Sequence, residues 1–107
     1  MSRLLALALA SLLAVSFAAP AAANTADACK SGLAAASASM DAARARAKRA
    51  VAGEEFCAAH RRHFLEVAKA RAVIALCKAG SERDQELGRL DWTVEDINGT
   101  IAARCGD

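Results

Sequence analysis

Cys57, His60, His63 and Glu66 recur at every third position, and each side chain is of a type that ligates divalent cations. A thiolate, two imidazoles and a carboxylate would make a zinc set by type, but the spacing argues against one. An α-helix turns about 100° per residue, so steps of three drift by about 60° and the four side chains cannot converge on one ion. His60 and His63 alone share a face and stand as a candidate pair for a metal or small ligand. The simpler expectation is two imidazoles at a helix surface or helix–helix interface, with no metal and no cofactor.

Other chemistry is sparse. The chain has no glycine-rich phosphate loop, no Cys-x-x-Cys redox pair and no recognisable nucleophile motif. The acidic pair Glu54-Glu55 fits a helix first turn, where carboxylates complement the helix dipole, and Glu95-Asp96 fits a solvated face. No catalytic residue is expected, and the chain reads as a non-enzyme.

The four cysteines carry the strongest signal. Cys29, Cys57, Cys77 and Cys105 are spaced by 28, 20 and 28 residues. Residues 1–23 read as a signal peptide: Arg3 gives a positive start, Leu4 to Phe17 an apolar stretch, and Ala21-Ala22-Ala23 a small-residue cleavage site before Asn24. Residues 24–107 then form one exported domain, periplasmic or secreted, with no transmembrane segment. A domain this small, rich in alanine, buries little apolar area, and disulfides in an oxidising compartment compensate.

Three helices must position these residues. Gly53 before Glu54-Glu55 and Gly80-Ser81 before Glu82-Arg83-Asp84 read as helix stops followed by starts, with Ser81 a candidate cap. Helices are expected at about 25–51, 54–79 and 82–104, and the apolar periodicity supports all three. The second has the widest apolar arc and should lie in the middle. In the third, Gly88 and Asn98-Gly99 weaken the helix, and Thr93 with Asp96 could cap a separate segment, so a kink or break is expected as an option. The fold class is all-α: a small up-down-up bundle stapled by two disulfides.

Level matching then assigns the connectivity. Cys29 precedes Gly53 by as many residues as Cys77 follows it, and Cys57 and Cys105 flank Gly80 almost equally. At about 1.5 Å per residue each pair is level across antiparallel helices, whereas joining Cys57 to Cys77 would bridge about 30 Å along one helix. The pairs are therefore Cys29 with Cys77 and Cys57 with Cys105. The same rule opposes Arg71 to Asp91 as an ion pair, and Leu65, Ala68, Ala72 and Ala75 of helix 2 to Ile97, Val94, Leu90 and Leu87 of helix 3.

Trp92 is expected to point outward, about 175° from the apolar stripe of helix 3, beside Arg89 and Asp96. Exposed tryptophan and arginine dominate protein-binding hot spots, so these three residues are the candidate partner site. The run Arg44, Arg46, Lys48 and Arg49 suits phosphate or an anionic membrane surface by composition, although a solvated helix end is the simpler expectation. Nucleic acid is not expected as a partner, since there are no aromatic platforms for bases. A small-residue face would suit a homodimer. In format, a leader followed by a four-cysteine helical domain is similar to small periplasmic inhibitors, immunity proteins and stress-protective chaperones of bacteria. This implies a non-enzymatic interaction module, with a small metal- or ligand-binding protein using His60 and His63 as the alternative.

Overall fold

A computed structural model describes residues 22–106 as three helices, α1 (Ala22–Arg49), α2 (Gly53–Cys77) and α3 (Gly80–Arg104). Residues 1–21, which include nearly all of the expected signal peptide, lie outside the described residues. No strand occurs among those described.

Both interhelix turns rest on glycine. Gly53 and Gly80 have φ of 68° and 65°, in the left-handed region that a side chain disfavours. Each opens the following helix after an extended alanine, Ala52 or Ala79, and neither alanine caps with its side chain. Ser81 is therefore not the cap expected from the sequence, because α3 begins at Gly80 and Ser81 already lies inside the helix. The first turns do carry the expected acids, Glu54 and Glu55 in α2 and Glu82 in α3.

α3 is a single unbroken helix through Gly88 and Gly99. The option of a break is not realised, and Thr93 shows why. Its Oγ1 donates to the Arg89 carbonyl oxygen one turn back at 3.1 Å, and Thr100 does the same to the Asp96 carbonyl oxygen. Both hydroxyls thus bond backward within a continuing helix instead of capping a new one.

The disulfides are the two expected, Cys29–Cys77 and Cys57–Cys105, with Cα separations of 5.3 and 5.7 Å. Each ties the start of one helix to the end of the next, so neighbouring helices run antiparallel. The middle position of α2 also holds: it packs against both others, while no Cα of α1 comes within 8 Å of one in α3. Two disulfides fit an oxidising compartment. Among the described residues no helix is long and apolar enough to cross a membrane.

The core lies on one side of α2, where Val67, Ala70 and Ile74 meet Met40 of α1 and Leu90 and Ile97 of α3. A second small cluster of Ala47, Ala50, Phe56 and Ala59 sits near the Cys57–Cys105 bridge, where the Arg104 guanidinium stacks 3.7 Å from the Phe56 ring centroid. Level matching gives the height of these contacts and misplaces their rotation. Leu65, Ala68 and Ala72, expected to face α3, are exposed on the back of α2, and Leu65 is 44% exposed. Residues one or two positions away, Val67, Ala70 and Ile74, face the core instead, because α2 must direct one arc toward both neighbours at once. The Arg71–Asp91 pair forms as expected, Nε to Oδ1 at 2.6 Å, and holds Asp91 below the usual carboxylate range. It is exposed, not buried.

In the chain-entropy model, closing each loop of this length contributes about 4 kcal/mol, comparable with the whole stability of a small domain. Reduction should therefore collapse the cooperative thermal melt followed by circular dichroism at 222 nm. Leu90, only 2% exposed, tests the core separately: Leu90→Ala in the oxidised protein should cost about 2–5 kcal/mol in chemical denaturation.

Candidate functional site

The triplet-spaced residues of α2 divide among different tasks, as the helical drift requires. Cys57 is in a disulfide. Glu66 is buried between α1 and α2 and accepts from Arg62 Nε at 3.1 Å and Lys69 Nζ at 3.5 Å. His60 stacks on Phe56, ring centroids 4.0 Å apart. Among the described residues no group of three or more His, Cys, Asp or Glu side chains is arranged to hold a metal.

His60 and His63 nevertheless share one feature. Both line an open cleft of about 300 Å³ at the meeting of all three helices. Its α1 wall carries Arg44 and Lys48, one turn apart on the same face, and its α3 wall carries Asp96 with Thr93 and Thr100. None of Arg44, Lys48 and Asp96 forms an ion pair among the described residues. The basic run read as a single patch is thus divided by the helix: Arg44 and Lys48 face this cleft, while Arg46 lines clefts on the other side, near Arg62.

His63 departs from a satisfied surface imidazole. It is only 7% exposed, and its Nε2 has no hydrogen-bond partner. A buried polar atom left unpaired costs about 1–3 kcal/mol, so the position is unfavourable for folding alone. Burial lowers its pKa below the ordinary value, and the nearby charges of Arg44 and His60 push in the same direction.

Trp92 points outward as expected and is 76% exposed. It lies between Arg89 and Asp96 at 3-4 spacing along the outer side of α3. Those neighbours place it: Arg89 lines a second cleft, with Met40, Ile74 and Lys78, whereas Asp96 lines the histidine cleft. Trp92 itself lines neither cleft and stands on the outer side of α3. Arg89 leans back to Glu86 at 3.5 Å. Gly88 and Gly99 leave open space, since a Cβ at either would meet nothing within 4 Å.

No family model, no curated protein and no solved structure matches the chain. Function therefore has to be read from the two sites themselves. Sequence reasoning found Trp92, Arg89, Asp96, His60 and His63 but missed that Asp96 and the histidines share a cleft with Arg44, Lys48, Thr93 and Thr100. Level matching across both helix pairs sets Arg44 and Lys48 near the height of the histidines. It says nothing of the rotation that turns them toward one space.

A titration tests the state of His63. Its folded pKa lies below its unfolded value, so the unfolded chain takes up a proton first. Stability is complete above the unfolded value of about 6.5 and is lost as pH falls below it toward the folded pKa. Urea midpoints should fall between about pH 7 and 5, and His63→Leu should flatten that decline.

Proposed function

We propose that this is a small exported, non-enzymatic interaction module of inhibitor, immunity or stress-protective type, presenting the outer side of α3 to a protein partner. The observation that carries this reading is Trp92, the chain's only tryptophan, 76% exposed on a stapled helix. A large aromatic side chain left in water gains by burial in a partner, and its fixed backbone limits the entropy lost on docking. Arg89 and Asp96 on either side supply oriented charge at the rim, where electrostatic complementarity selects the partner.

A second reading is supported by a separate observation. The open cleft lined by His60 and His63, with Arg44, Lys48 and Asp96 unpaired around it among the described residues, favours a small ligand at that position. A metal is less favoured, because the two imidazoles have no third ligand of the usual types among the described residues.

The first reading is tested by placing the photocrosslinker p-benzoylphenylalanine at Trp92 and, as control, at Leu76, which is 85% exposed on the back of α2. Irradiation of cells that export the protein should give one discrete adduct from position 92 and none from position 76. Trp92→Ala should abolish co-purification of the same partner without changing the melting temperature by more than about a degree. An unchanged partner yield with a clearly lowered melting temperature would make Trp92 a packing residue and end this reading.

A further inference from the structure

The cleft that holds the two histidines has opposite polarity on its two long walls. On the α1 side Arg44 and Lys48 present only hydrogen-bond donors and positive charge. On the α3 side Asp96 presents a carboxylate, and Thr93 and Thr100 present hydroxyl oxygens. Those hydroxyl protons are already committed to the carbonyl oxygens of Arg89 and Asp96, so the threonines face the cleft as acceptors. The floor is α2, with His60 and the buried His63, whose Nε2 lacks a partner. Donors thus face acceptors across a gap that neither wall closes, because no ion pair joins α1 to α3 among the described residues.

We infer that this cleft binds a small zwitterion of the α-amino acid type, its carboxylate held by Arg44 and Lys48 and its ammonium by Asp96, Thr93 and Thr100. The inference rests on the second reading above, that the histidine cleft takes a small ligand, and is independent of Trp92. Size and charge select the class. At about 300 Å³ the cleft is at the lower limit of ligand-sized pockets, which suits a small ligand. A simple anion such as phosphate could use the α1 wall but would be repelled by Asp96 and find no donor on α3. A simple cation meets the reverse problem at Arg44 and Lys48. Only a small ligand with both charges satisfies both walls together.

The test is a ¹H–¹⁵N correlation titration of the oxidised protein with pools of free L-amino acids, and with acetate, methylammonium and inorganic phosphate separately at the same concentration. At least one amino acid should shift the amides around residues 44, 48, 63 and 96 in a saturable way, while the three single-charge probes leave them nearly unmoved. Arg44→Gln and Asp96→Asn should each weaken that binding about tenfold or more, since each removes one charge-assisted hydrogen bond. Neither residue lies in an ion pair among the described residues, so both variants should keep the wild-type melting temperature. Equal or stronger shifts with acetate or phosphate, unaffected by Asp96→Asn, would overturn the zwitterion and leave a plain anion site. No saturable shift with any probe would overturn both the zwitterion and the ligand reading of the cleft.

Discussion

The two disulfides are the constraint on which the rest of this structure depends. They join levels that the antiparallel helices already share, one at each end of α2, so that α1 and α3 are each anchored to the same central helix and not to one another. A core made largely of alanine, with Val67, Leu90 and Ile97 as its best buried large residues, offers little apolar area to hold long helices together. Covalent cross-links work instead on the unfolded chain, by removing conformations that it would otherwise gain. The fold can then tolerate an unpaired imidazole near the core.

Anchoring both outer helices to α2 has a geometric consequence. Since α1 and α3 make no close backbone contact, the space between them is floored by α2 and open to solvent, and two clefts lined by all three helices lie along it. The histidine cleft lies inside this groove, while Trp92 stands on the outer side of α3. The back of α2 is different. There Leu65 and Leu76 are exposed, and the neighbouring Arg62 and Lys69 both pair with Glu66.

Charge follows the same architecture. Several formal charges neutralise one another between or along neighbouring helices: Glu66 with Arg62 and Lys69, Lys78 with Glu82 and Glu86, Arg71 with Asp91. These pairs are largely exposed and contribute little to stability in water. Their significance is by contrast. Arg44, Lys48 and Asp96 stay unpaired around one opening that also holds the buried His63, although partners of opposite sign stand on the facing helix.

Much of this was legible in the residues. Cysteine positions and two glycines determined three helices, their antiparallel order, the disulfide connectivity and the level of the Arg71–Asp91 pair, because rise per residue is a fixed property of the α-helix. The outward placement of Trp92 followed from period alone, since it lies opposite a regular apolar stripe. Rotation of each helix about its axis was not legible. It turned Val67, Ala70 and Ile74 inward in place of Leu65, Ala68 and Ala72, left Arg71 exposed, buried His63, and divided Arg44 and Lys48 from Arg46. Tertiary structure alone decided these, because a wide apolar arc such as that of α2 permits many rotations of similar burial, and the choice among them depends on satisfying two neighbouring helices at once.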